Sequence, residues 1–264
     1  MEQISSQEYE LLLVEQLREQ VNNVMAALQL LTPMIRQQED KYGQYLAVAN
    51  QSLYRLLRMM GNVEFAQAAR QGGEQALFHP TALDMAGLCR ALCRQVEPLS
   101  AKAGVTFRYE ESKGNVLMGG DAALLRRMIL NLISAALQAA GAGGQAGLRL
   151  SVSGERVMLT IWDSGQGRAS QPLRPAEAST GQGGESLGMG VARRIAALHQ
   201  GSIVMERQEQ GERMVVSLPT GEYTGGTALR TPQADYDPMG GFSPVLVELS
   251  DALPYQAFVP DEME

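Results

Sequence analysis

One stretch constrains the fold of this chain more than any other: Ile161-Trp162-Asp163-Ser164-Gly165-Gln166-Gly167. An apolar strand runs into a carboxylate, and glycines follow at alternate positions. Such a turn sets a fixed acceptor at a strand end, beside backbone that can take φ > 0 and approach another group closely. Alone it is a weak signal, because turns after strands often have this composition. Its surroundings narrow it. Downstream, Gly184-Glu185-Ser186-Leu187-Gly188-Met189-Gly190 opens the helix-like run 191–200. Free N–H groups at such a helix start favour an anion. Upstream, Gly120-Asp121 begins a helix over 122–140 that carries Leu124, Leu125, Met128, Ile129, Leu132, Ile133 and Leu137, and glycines at 141, 143 and 144 stop it.

The flanks supply the remaining elements. Residues 81–103 predict an amphipathic helix with Leu83, Met85, Leu88, Leu92, Val96 and Leu99 on one face. Residues 105–110 and 116–118 alternate as strands, and two hairpins turn at Gly154-Glu155 and Gln210-Gly211. The order predicts a mixed sheet with helices on one face. A length of 264 residues, 45% of them hydrophobic and 19% charged, allows one large or two small domains with an ordinary core. The net charge of −7, without a basic tract, argues against nucleic acid as a partner. Cys89 and Cys93 stand four apart, a metal-pair spacing that no second pair or flanking histidine completes, so buried thiols are the preferred reading. No apolar run approaches the ~20 residues needed to cross a bilayer. With so few cysteines and no signal peptide, a cytoplasmic chain without a membrane contact is expected.

The N-terminal part has a different rhythm. Ser5 with Glu8 forms a capping-box start. Apolar residues follow at Val14, Leu17, Val21, Val24, Leu28 and Leu31, and again at Leu46, Ala49, Leu53, Leu56, Met60 and Val63. These are the alternating three- and four-residue gaps of a bundle seam. Two helices with one stripe each predict a homodimeric four-helix bundle through residues 1–73. The competing reading is an intramolecular cap on the second domain. Gln71-Gly72-Gly73-Glu74 reads as the linker.

Residues 74–221 resemble the nucleotide-binding domain of the GHKL ATPases, and their motif order resembles the histidine-kinase branch. The resemblance implies an α+β chain: a dimerisation and phosphotransfer hairpin over 1–73, then a GHKL-type α/β sandwich. It implies ATP as ligand. Asp163 would accept from the adenine amino group, Gly165 and Gly167 would line the base, Asn131 would stand on the neighbouring helix, and Gly184, Leu187, Gly188 and Gly190 would form the phosphate loop.

The departures are as informative. The hairpin motif His-Glu-Leu-Arg-x-Pro-Leu reads here Glu15-Gln16-Leu17-Arg18-Glu19-Gln20-Val21, ahead of Leu30-Leu31. Glu15 therefore occupies the phosphoacceptor position. A carboxylate cannot form the phosphoramidate; a solvated glutamate is preferred here over a phosphohistidine mimic. His79 and His199 do not look like acceptors. Asn-Leu-x-x-Asn-Ala-x-Lys becomes Asn131-Leu132-Ile133-Ser134-Ala135-Ala136-Leu137-Gln138, so Ala135 replaces the Mg²⁺-binding asparagine and Gln138 the lysine. A methyl group cannot coordinate a hard cation. Glu185 and Ser186 alter the second glycine loop, and Arg168 and Arg174 lie in the stretch between the glycine motifs.

The resemblance thus implies a degenerate, kinase-like signalling dimer that works by protein–protein contact with a response regulator or another kinase, binds ATP weakly or not at all, and lacks its Mg²⁺ ligand. The alternatives are an ATP-dependent kinase acting on a partner protein and a histidine phosphotransferase, the last without its bundle histidine. Residues 222–264 fall outside the resemblance. Ser243–Ser250 alternates partly as a strand, and this extension could add to the sheet edge, cover the lid region or bind a partner.

Overall fold

The computed structural model describes residues 17–25, 27–28, 31, 40–70, 77–167, 187–220 and 242–259. In chain order the elements are α1 (Asp40–Arg70), β1 (Thr81–Asp84), α2 (Met85–Lys102), β2 (Thr106–Glu111), β3 (Leu117–Gly120), α3 (Ala122–Ala140), β4 (Gln145–Ser153), β5 (Arg156–Asp163), α4 (Leu187–Leu198), β6 (Ser202–Arg207), β7 (Glu212–Pro219), α5 (Pro244–Leu249) and a 3₁₀ turn, Tyr255–Phe258. They fall into two compact units: Met1–Gly72 with Asp237–Glu264, and Gly73–Tyr236.

In the unit Gly73–Tyr236, five strands form one mixed sheet in the order β2-β4-β5-β7-β6. Only β2 and β4 run parallel; the other neighbours are antiparallel. Alternation along β5 buries Val157, Leu159, Ile161 and Asp163 and leaves Met158, Thr160 and Trp162 half-exposed on the other face. Helix α3 packs on β4 and β5, and its Leu125, Met128, Ile129, Leu132 and Ile133 are each 0% exposed. Each such side chain contributes about 1.5–3 kcal/mol relative to exposure. By length and composition α3 is apolar enough to cross a membrane, against the sequence expectation. Its buried face is the core of the sandwich, which explains the same composition.

Asp121 caps α3, its Oδ1 accepting from the N–H groups of Ala123 and Leu124, both at 3.0 Å. One boundary differs from expectation. Thr81–Asp84 is a strand paired antiparallel with β3, not the first turn of the helix. Asp84 divides the two, because its Oδ1 accepts from Ala86 N–H at 3.1 Å and from Val116 N–H at 2.9 Å. A cap residue takes extended backbone, so the chain before it is free to pair.

In the other unit, residues 17–25 are helical and α1 returns. Arg18 pairs with Glu64, which marks the side of α1 that meets the first helix. Leu53, Leu57 and Met60 share that side and are buried. A second side of α1, carrying Gln51, Tyr54 and Arg58, meets α5 and the 3₁₀ turn. The strand expected over 243–250 is therefore a helix. Ser243 caps it, accepting from Leu246 N–H at 3.4 Å. Pro244 takes the first turn, where its fixed φ and missing N–H cost nothing. Apolar alternation in a run this short does not separate helix from strand.

Candidate functional site

Asp163 ends β5 on the helix-covered face of the sheet and is 4% exposed. Its Oδ1 accepts from Gly165 N–H at 2.8 Å, which folds the chain back at once after the strand. Ser164 locks the turn to β4, its hydroxyl accepting from Gln145 N–H and its own N–H donating to Gln145 O, both at 2.9 Å. Gly165 has φ +69°, and a methyl group there would lie 2.7 Å from Gly211 N. A methyl on Gly167 would lie 2.6 Å from Gln138 O and 2.8 Å from Gly141 N. Both glycines thus face protein backbone: one the final hairpin, the other the C-terminal end of α3. The sequence reading assigned them to ligand approach; the structure gives each a packing reason as well. Gly141 and Gly211 are partners that the sequence reading did not single out for this role, although each stands at a stop or turn that required glycine.

An open depression of about 530 Å³ lies at the end of β5, lined by Trp162 and its cross-strand partner Arg213, by Asp163, and by Gln208, Glu209, Gln210 and Glu212 of the final turn.

On α3, Asn131 is 4% exposed and its Nδ2 donates to Arg127 O at 3.1 Å. Ala135, one turn on, is half-buried on the neighbouring surface. Ser134 is 0% exposed, and its hydroxyl has no hydrogen-bond partner among the described residues. It points into the core. The described residues hold no group of three or more His, Cys, Asp or Glu side chains able to bind a metal. A buried hydroxyl without a partner costs about 1–3 kcal/mol. Ser134→Ala is accordingly expected to raise stability by about 1 kcal/mol, read as a higher urea midpoint; a drop of the same size would mean the hydroxyl is satisfied.

Helix α4 begins at Leu187 and packs against α3. Leu187 is 44% exposed, Gly188 is half-buried and Gly190 is exposed. A methyl on Gly190 would meet nothing within 4 Å, so this glycine has no packing role like those of the first loop. Gly184, Glu185, Ser186, Arg168, Arg174 and Glu15 lie outside the described residues.

His199 closes the C-terminal end of α4. It is 4% exposed and stacks edge-on against Phe78 at 4.9 Å. Its Nε2 accepts from Asp121 N–H at 2.9 Å, so Nδ1 carries the proton and donates to Ile195 O at 2.8 Å. The ring is a neutral tie between α4 and the start of α3, a donor at the helix end but not a cation. Burial lowers its pKa, outweighing the raising effects of Ile195 O and Asp121. Because the folded pKa lies below the unfolded value, the unfolded chain binds the extra proton first. Stability from this ring is full above the unfolded pKa of about 6.5 and falls as pH drops from there toward the folded value. Titration of the denaturation midpoint from pH 7.5 to 5 should show this loss, and His199→Gln should flatten it; an unchanged slope in the variant would place the effect elsewhere.

Cys89 and Cys93 are free and buried. Burial pushes both thiols up, that of Cys93 to about 12, which suits packing and not metal binding or nucleophilic chemistry.

Residues 120–222 match the family described as Histidine kinase-, DNA gyrase B-, and HSP90-like ATPase. The adaptive-response sensory kinase SasA of Synechococcus sp. (strain CC9902) is 27% identical over 175 residues, 61% of this chain and 46% of that protein. The chain spans under half the length of the curated relatives it matches, including the sensor protein SphS of Synechococcus elongatus, of which it covers 35%. Among solved structures, full-length ShkA in complex with AMPPNP superposes with a TM-score of 0.54 at 20% identity, over 90% of this chain and 54% of that one. Histidine kinase ThkA in complex with the response regulator TrrA superposes with a TM-score of 0.52 at 16% identity, over 82% and 64%.

Proposed function

For a chain that belongs to the histidine-kinase-like GHKL ATPases, we propose a role as a degenerate signalling member, one that works by protein contact and binds ATP weakly or not at all. The observation that carries this is a contrast within one domain. At the base end, Asp163 is buried on the helix-covered face and held by Gly165 N–H. At the metal position, Ala135 offers a methyl group, and the adjacent Ser134 hydroxyl is turned into the core. Phosphoryl transfer relies on positioning and charge neutralisation, so loss of the metal ligand and of the acceptor at Glu15 removes most of what the reaction needs. ShkA, whose structure shares this fold, was solved in complex with AMPPNP, which supports a nucleotide as the ligand class to test.

The partners proposed are a second copy, through the N-terminal hairpin, and a response regulator or kinase. The first rests on the outer stripe of the hairpin. Leu17, Val24 and Leu31, at exposures of 47, 49 and 46%, recur every seven residues on the first helix. Val48, Leu56, Met59 and Val63, at 47, 41, 54 and 37%, line the third side of α1. Half of the apolar seam closes the hairpin, and half faces outward in the same register, as a four-helix bundle requires. The regulator rests on kin: ThkA forms a complex with one.

The alternative, an ATP-dependent kinase acting on a partner protein, rests on Asp163 and the glycine loops. Titration of a fluorescent ATP analogue with and without Mg²⁺ separates the two. Absent or weak binding, unchanged by Mg²⁺, is expected. Micromolar affinity that requires Mg²⁺, or transfer of the γ-phosphate to this chain or a bound regulator, would establish the kinase instead.

A further inference from the structure

The extension beyond the sandwich is held by α1 in a manner typical of peptide recognition. Asn50 Nδ2 donates to Phe258 O at 3.2 Å. Gln51 Nε2 donates to Ser250 O at 3.2 Å and Leu253 O at 2.7 Å, and Arg55 Nε donates to Ser250 O at 3.3 Å. In each of these bonds a side chain of α1 donates and a main-chain carbonyl of the extension accepts. Charge follows the same direction: Arg58 pairs with Glu248 at 3.4 Å and with Asp251, and Arg55 pairs with Asp251 at 3.2 Å. Tyr54 stands between two aromatic anchors, edge-on to Phe242 at 5.8 Å and tilted against Phe258 at 5.3 Å. The donors and Tyr54 fall within 50–58, about two turns of one helix.

The segment itself cannot hold this shape alone. It consists of a six-residue helix and a four-residue 3₁₀ turn, well under the ~12–15 residues at which an isolated helix becomes even marginal. Its apolar side chains, Leu246, Leu249, Leu253 and Phe258, are buried in the unit it shares with α1. Its fold therefore forms with its docking, as in coupled folding and binding.

We propose that this side of α1 is a peptide-docking site and that residues 242–259 are its resident occupant, a displaceable plug within the chain. The ligand class is an acidic helical turn flanked by aromatic anchors, recognised through its carbonyls by Asn50, Gln51 and Arg55, through its acids by Arg55 and Arg58, and through its rings by Tyr54. A partner segment of that chemistry reaches α1 only when the plug leaves. This goes beyond the nucleotide reading and does not depend on it, since none of these residues belongs to the sandwich.

The test uses the full chain with a protease recognition sequence placed in 221–241. After cleavage, the fragment should stay associated on gel filtration, and a labelled synthetic peptide of residues 242–259 should exchange into the cleaved chain and saturate. The uncut chain, whose site is filled at high local concentration, should bind the same peptide at least tenfold more weakly. Arg58→Glu in the cleaved chain should weaken the peptide at least tenfold, and a peptide with Glu248→Arg should recover most of that loss. Failure of the peptide to enter the cleaved chain, or equal binding to cut and uncut chains, overturns the proposal. Amide exchange in uncut Glu248→Arg guards against simple unfolding. Protection should fall at least tenfold over 242–259 and persist over 40–70; joint loss in both would make the segment an integral part of the core and sink the plug.

Discussion

Val24→Glu combined with Leu56→Glu is expected to convert a dimeric chain into a monomer at tens of micromolar. Both side chains are exposed in the single chain, at 49 and 41%, so neither substitution disturbs the hairpin's own seam, where Val21, Leu46, Leu53 and Met60 are 5–8% exposed. In a two-fold assembly each change is felt twice. Four carboxylates taken into an apolar seam without partners cost at least ~4 kcal/mol together. That is about a thousandfold in Kd. Light scattering behind gel filtration reads the result, and unchanged helical circular dichroism shows that the unit stays folded. If the unsubstituted chain is itself monomeric at that concentration, the four-helix bundle is wrong and the outer stripe needs another cover. The register argument gives the expectation its strength: α1 meets the first helix on one side and α5 on a second, and its remaining side is apolar too. An apolar side left open on a helix already covered on two others calls for a further partner.

The second large effect lies in the turn after β5. Gly167→Val should destabilise the sandwich by about 3 kcal/mol or more, because its new atoms would meet the backbone of Gln138 and Gly141, which cannot rotate away. Gly165→Ala should cost somewhat less, about 1–2 kcal/mol for the left-handed backbone, plus the approach to Gly211. Gly190→Ala supplies the opposite sign. It lies in α4 with open space around it, so the substitution should stabilise by about 0.5–1 kcal/mol through helix propensity. Urea denaturation of the three variants measures the ordering. Equal, small effects at Gly167 and Gly190 would mean that the first loop is not pinned between α3 and the final hairpin. The two glycine motifs thus differ in kind: where described, the first is built into the protein's packing, and the second begins a helix with space beside it.

Much of the sandwich could be read directly. The bounds of α3 follow from Asp121 as a cap and Gly141 as a stop, both local signals within one turn of the helix ends. The hairpins follow from alternation on either side of glycine turns. The turn after β5 was legible because Asp163 is followed by glycines at alternate positions, and Asp163 Oδ1 takes the Gly165 N–H there.

Other features depended on what lies far away in sequence. Ser243–Ser250 carries apolar residues compatible with either helix or strand, and the choice was made by Gln51, Tyr54 and Arg58, some two hundred positions earlier. Thr81–Asp84 could have begun α2, and it pairs instead because β3 offers an open strand edge. The role of His199 depended on Asp121 N–H and Phe78, which no local pattern reveals. The a/d rhythm announced two apolar stripes, yet only the fold divided them into Val21, Leu46, Leu53 and Met60 turned inward and Val24, Leu56 and Val63 turned out. Sequence by itself determined caps, turns and strand alternation, since each is settled within a few residues by backbone sterics. Tertiary structure decided the faces, the plug and the histidine tie, since these depend on which distant surface arrives to cover an apolar side or accept a proton.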